Sequence, residues 1–179
     1  MPQPAPIAPK LRRAGDWTRA ADRVTLDYEA RFLRRKRLTA DGGLQFVVDL
    51  PETVSLEDGD ALELEDGRLV EVVAAAEPLV AVTGPVLPRL AWHIGNRHTP
   101  CEIGADRLVI RHDHVLEGML RGLGATLDRF DGPFRPEGGA YGHGRTMGHA
   151  HGPAQASGDA AQHRAHLDPG DFGGDGGGE

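Results

Sequence analysis

The sequence predicts an α+β chain: a small all-β N-terminal module, a second module of interleaved strands and helices, and a disordered C-terminal tail. Three observations lead there. Short β-prone segments separated by Asp/Gly turns fill residues 23–75, two amphipathic helical patterns alternate with apolar strands over 78–141, and residues 142–179 turn abruptly to Gly, His, Ala and Asp. Residues 1–22 precede them as a flexible arm.

That arm, opening Met-Pro-Gln-Pro-Ala-Pro-Ile-Ala-Pro-Lys, lacks the apolar core of a signal peptide, and its prolines favour extended solvated chain. Weak helical potential surrounds Trp17, and poor order is expected. The β module follows with strands from Val24 to Tyr28, Gly43 to Leu50, Ala61 to Glu65 and Arg68 to Val73. Its clearest unit is the hairpin from Ala61 to Val73: Leu62 and Leu64 alternate with Glu63 and Glu65, and Asp66-Gly67 suits a two-residue turn with positive φ angles. A module of about 50 residues is close to the smallest that folds alone, so it should lean on a neighbour.

From Leu79 the expected order is strand (Leu79 to Thr83), helix (Pro85 to Asn96), strands (Pro100 to Ile103 and Arg107 to Arg111), helix (His114 to Leu123) and strand (Ala125 to Phe130). This is βαββαβ, the ferredoxin-like order. Leu87, Leu90, Ala91 and Ile94 recur at helical spacing, Pro88 suits a first turn, and Gly95-Asn96 is a usual helix exit. The second helix carries Val115, Leu116, Met119, Leu120 and Leu123 and closes at Gly122 and Gly124. The tail has too little apolar surface to offset the entropy of ordering it.

Composition narrows the function. At 179 residues, 39% hydrophobic and 26% charged, the balance is that of a soluble globular chain. Glu71, Glu77 and Pro78 break the longest apolar region, short of the roughly 20 residues that span a bilayer, so membrane insertion is not expected and a cytoplasmic protein is. One cysteine, Cys101, agrees with a reducing compartment; it reads either as a small buried hydrophobe or as a soft auxiliary ligand near His98. A net charge of −7 argues against nucleic acid. Locally, Arg31 to Arg37 packs five cations into seven residues, either a solvated edge or loop or a docking patch for an acidic partner.

The nine histidines are unevenly placed. None precedes His93; His98 trails the first helix, His112 and His114 flank the start of the second, and His143, His149, His151, His163 and His166 lie in the tail. Neutral imidazole is a common ligand for nickel, copper and zinc, and with a reference pKa near 6.5 it is mostly deprotonated at pH 7. One imidazole holds an ion weakly, and a two-fold homodimer would supply a second without further sequence. Against this stands a helix-terminal His98 that merely bonds backbone carbonyls. His112 and His114 share a face if they lie on a strand, or splay apart if Asp113 caps the helix. His93, inside the first helix, reads as structural. His149-Ala-His151 and His163-Arg-Ala-His166 are short chelating pairs on flexible chain.

Three ordered blocks carry a family likeness: Trp92-His-Ile-Gly-Asn-Arg-His98; Asp113-His-Val-Leu-Glu117 with Met119-Leu120; and Pro133-Phe-Arg-Pro-Glu-Gly-Gly-Ala-Tyr141. From about Val24 to Tyr141 the chain resembles the urease accessory protein UreE family of nickel metallochaperones. The resemblance implies that His98 meets its twin at a homodimer interface around Ni2+, with His112 and His114 as secondary ligands. It also implies a partner-binding β module, for which Arg34, Arg35 and Arg37 are candidate contacts, and a urease-maturation GTPase as recipient. Cu2+ or Zn2+ should also occupy such nitrogen ligands. The tail is poorer in histidine than is usual in the family, which favours transfer over storage. Catalysis is not expected: His112-Asp113-His114 lacks an extended His-x-His-x-Asp-His pattern, since Val109 and Ile110 precede Arg111, and neither a nucleophile elbow nor a phosphate-binding glycine loop is present. The reading is a nickel carrier; the alternative is a metal-buffering or folding-assistance protein with no dedicated recipient.

Overall fold

A computed structural model describes residues 4–138. Among the described residues, eleven strands and two helices run in the order β1 (Ile7–Ala8), β2 (Lys10–Arg12), β3 (Asp22–Leu26), β4 (Phe32–Thr39), β5 (Gln45–Ser55), β6 (Ala61–Glu63), β7 (Leu69–Ala74), β8 (Ala76–Thr83), α1 (Leu87–Gly95), β9 (Glu102–Ile103), β10 (Leu108–Arg111), α2 (His114–Gly122) and β11 (Thr126–Pro133). The fold class is α+β.

The first seven strands form two sheets, ordered β1-β5-β4 and β2-β6-β7-β3. Alternation explains which sides meet: Phe46, Val48 and Leu50 on β5 are buried, as are Val70 and Val72 on β7, and they join Val24, Leu33, Leu56, Leu62 and Leu64 in one core. The hairpin is present with a different turn. Leu64 N–H donates to the Arg68 carbonyl and Gly67 N–H to the Leu64 carbonyl, with Gly67 alone in the hairpin at positive φ (83°), so three residues rather than two make the reversal. Asp66 fits because its carboxylate accepts from Arg68 N–H and pairs with the guanidinium.

The arm differs from expectation. Residues 7–12, read as poorly ordered, form two strands: β1 runs parallel to β5 (Ile7 opposite Val47) and β2 antiparallel to β6 (Leu11 opposite Leu62). Ala8 is fully buried, and Trp17 Nε1 donates to the Gly59 carbonyl at 3.0 Å rather than starting a helix. Pro6 and Pro9 bracket a strand only two residues long, below any useful periodicity, yet the Pro6 carbonyl still accepts from Val47 N–H. The basic run is the edge strand β4: Leu33 and Leu38 are buried while residues 34–37 are exposed, with a register shift between Leu33 and Arg35.

Residues 76–133 follow the order β8-α1-β9-β10-α2-β11, with a sheet ordered β11-β8-β10-β9 and every neighbouring pair antiparallel. Val80 and Val82 of β8 and Leu108 and Ile110 of β10 pack against Leu90 and Ile94 of α1 and Leu116 and Leu120 of α2. Because β10 and β11 both run back along β8, the ends of both return to its start: Arg111 lies opposite Leu79, and Pro133 opposite Ala76. There the two cores meet. Tyr28 packs edge-on to Phe134 with ring centroids 5.3 Å apart, beside Leu79 and Val109, and its N–H donates to Glu77. Buried Arg31 donates to the Phe134 carbonyl, so this cation belongs to the junction and not to the exposed basic strand. No described helix is long and apolar enough to cross a membrane.

The arm's place in the core is testable. Ala8→Asp puts a charge where no water reaches, and we expect it to lower unfolding free energy by about 3 kcal/mol or more, as buried unpaired charges do. A urea titration reads this; a change within about 0.5 kcal/mol, the size usual for surface positions, would mean that the arm is not packed.

Candidate functional site

α1 starts with Pro88 in its first turn and buries Leu90 and Ile94, leaving Trp92 on the outside, 63% exposed and edge-on to the His93 ring. The helix ends at Gly95 with Asn96 as its C-cap, the exit expected from the Gly95-Asn96 pair, and a further turn follows. Asn96 keeps right-handed helical geometry (φ −64°), Arg97 N–H donates to the Ile94 carbonyl, His98 N–H donates to the Gly95 carbonyl, and the left-handed residue is His98 itself, at φ 54°. For a residue with a Cβ this conformation costs on the order of 1–2 kcal/mol. The consequence is an exposed imidazole at the point where the chain reverses.

β10 ends at Arg111 and α2 begins at His114, so His112 and Asp113 form the junction. Asp113 is the N-cap, its carboxylate accepting from Val115 N–H at 2.8 Å and Leu116 N–H at 3.0 Å. Of the two arrangements open for His112 and His114, this is the capped one: the histidines flank an N-cap instead of alternating along a strand. His114 is exposed. His112 is tied through Nδ1 to Glu117, a carboxylate of α2 that is fully buried.

Glu117 also accepts from Arg121 Nη2 at 3.1 Å and Arg129 Nη2 at 2.9 Å. Burial alone would raise its carboxyl, but the hydrogen bonds from Arg129, His112 and Arg121 outweigh that and hold it at about 2. Sequence reasoning passed over this residue. The available signal was an acid inside the apolar stripe, beside Leu116 and three residues before Leu120.

A groove beside these turns is lined by Glu77, Pro78, Thr99, Pro100, Arg111, His112 and Asp113. It joins the chain just after His98 to the start of α2, across the beginning of β8. Cys101, three residues beyond His98, is half-buried, with its thiol close to the Glu102 carbonyl; burial pushes it up to about 11. It is protonated at neutral pH, which suits a packing role better than a ligand role. Among the described residues, no group of three or more His, Cys, Asp or Glu side chains is placed to hold a metal ion. The tail histidines His143, His149, His151, His163 and His166 lie outside the described residues. On β4, Arg35 pairs with Asp49 at 3.0 Å and Arg34 Nε approaches the Leu50 carbonyl at 3.4 Å, while Arg37 is exposed.

Comparison with known proteins gives the family. Residues 6–75 match the model for the UreE urease accessory protein N-terminal domain, and residues 71–166 match that for its C-terminal domain. The chain belongs to the UreE urease accessory protein family. It is 68% identical over 151 residues to the urease accessory protein UreE of Cereibacter sphaeroides, covering 84% of this chain and 82% of that one. Identity is 64% over 146 residues to that of Rhodobacter capsulatus, covering 82% and 93%, and 62% over 146 residues to that of Ruegeria pomeroyi, covering 82% and 98%. The N-terminal match begins at residue 6, so it takes in β1 and β2. All candidate histidines fall within the C-terminal match.

The thiol offers a pH test. Alkylation of folded protein by iodoacetamide should remain slow through pH 9 and accelerate only as pH nears 11, because the thiolate is the nucleophile and burial disfavours it. Rapid labelling at pH 8 would show Cys101 to be an activated thiol.

Proposed function

We propose that this chain is a nickel metallochaperone of urease maturation: two copies pair, their His98 imidazoles share one Ni(II) ion, and the ion passes to a urease-assembly GTPase. Nickel is cargo here, and the protein performs no chemistry on it beyond binding and release. His112 and His114 act as secondary ligands, and His143, His149, His151, His163 and His166 supplement them; Cu2+ or Zn2+ can occupy the same nitrogens. The setting is the cytoplasm.

The observation that carries this reading is the presentation of His98, an exposed imidazole on a left-handed residue just past α1, in a chain whose described residues assemble no three-donor group. A firm site then needs donors from outside those residues, and a second copy or the tail can provide them. Trp92, 63% exposed on the helix that ends just before His98, is an apolar side chain that such pairing could cover. Family membership supports the urease role and the absence of catalysis. The partner contact falls to the β module, with Arg34, Arg35 and Arg37 on its exposed edge strand. A metal buffer without a dedicated recipient would use the same ligands, so only recipient binding separates the two readings.

Calorimetric titration with nickel tests the site assignment. His98→Ala should keep the fold and the dimer but lose the tightest site, while truncation after Tyr141 should reduce the number of ions bound and spare that site. Unchanged tight binding in His98→Ala would remove the interfacial site, and loss of all binding on truncation would make the tail the carrier.

A further inference from the structure

The carboxylate of Glu117 sits at full burial in the apolar face of α2, between Leu116 and Leu120, where a leucine would pack without desolvation cost. Buried ion pairs are poor stabilisers compared with apolar residues of similar volume. Its two arginine partners do not need it, since Arg121 and Arg129 are 56% and 62% exposed and already reach water. What a leucine could not supply is an ionised acceptor for His112. The division of its oxygens is specific: Oε2 takes both guanidinium groups, and Oε1 takes His112 Nδ1. The imidazole remains 46% exposed. With Nδ1 turned to the buried oxygen, Nε2 is the nitrogen left to face an incoming ion beside the groove.

We propose that Glu117 is a positioning residue for His112: it holds the proton on Nδ1 and fixes the ring so that Nε2 presents its lone pair outward to the transported cation. This rests on the reading of His112 as a ligand. Carboxylates that orient metal-binding imidazoles in this way raise ligand basicity and fix the tautomer, and their loss typically weakens affinity about 10- to 100-fold. Arg121 and Arg129 complete the device by occupying Oε2, which leaves Oε1 to the ring. Asp113 is committed to the α2 N-terminus and Glu117 to the ring, so both of these carboxylates hold the junction.

The test uses the full-length 15N-labelled protein at pH 8, with long-range imidazole correlation spectra and zinc as a diamagnetic probe. In the wild type, His112 should carry its proton on Nδ1, and zinc should shift Nε2. In Glu117→Gln the single amide oxygen is drawn to the two guanidinium groups and the NH2 turns toward His112. The tautomer should then reverse, and the zinc midpoint read at His112 should weaken about 10- to 100-fold, with His98 unaffected. A wild-type ring with a bare Nδ1, or a Glu117→Gln variant with unchanged tautomer and midpoint, overturns the proposal. If the wild-type ring is fixed as described but zinc never moves it, His112 is not a ligand; the proposal falls with that reading, and the pattern tells this failure from a failure of positioning. The wild-type spectra decide even if the variant does not fold.

Discussion

The antiparallel return of β10 and β11 along β8 is the constraint on which the rest depends. It brings the end of β10, and with it His112, to the first residues of β8, and brings Phe134 and Arg135 to the same place from β11. The turn after α1 arrives there too, since Thr99 and Pro100 line a groove with Glu77, Pro78 and His112. Once Val80, Val82, Leu108 and Ile110 are buried under the helices, register is fixed, because a one-residue slip would turn every one of them to the opposite face. The positions of the histidine-bearing turns are therefore a consequence of core packing rather than of any interaction the histidines make with each other.

The same end of β8 is where the first core joins the second. Tyr28 reaches Phe134, lies under the Arg111 guanidinium at 5.1 Å, and is fixed by a hydrogen bond to Glu77, while Arg135 pairs with Asp58 across the junction. Burial would raise the Asp58 carboxyl, but Ala74 N–H and the Arg135 guanidinium hold it below the usual range. A β module too small to be secure alone thus gains an anchor, and Arg111, at the edge of the groove, is part of it.

Much of this was legible in the sequence where periodicity was long enough. The hairpin around Asp66-Gly67 alternates over two strands, and α1 and α2 each carry apolar residues at helical spacing, so their existence and order could be read directly. β1 has two residues between prolines, and β4 is dominated by cations whose exposure mimics a loop; both exist because β5 offers them a partner, which no local pattern reveals. The end of α1 at Gly95-Asn96 could be read as well, but not the turn beyond it, where hydrogen bonds to the Trp92, Ile94 and Gly95 carbonyls carry the chain on to a left-handed His98. Glu117 was invisible for a related reason: a charge in an apolar stripe reads as a blemish until its partners from β11 and the β10–α2 junction are in place.

In the proposed function, neither protomer completes the primary nickel site by itself, and His98 is the residue each contributes. Native mass spectrometry of the full-length protein at limiting nickel addresses it most directly. The account predicts a dimer that acquires a single nickel ion before any further loading, with monomer released in the gas phase carrying no ion of comparable retention. One nickel on each separated monomer, loaded independently of its partner, would contradict it.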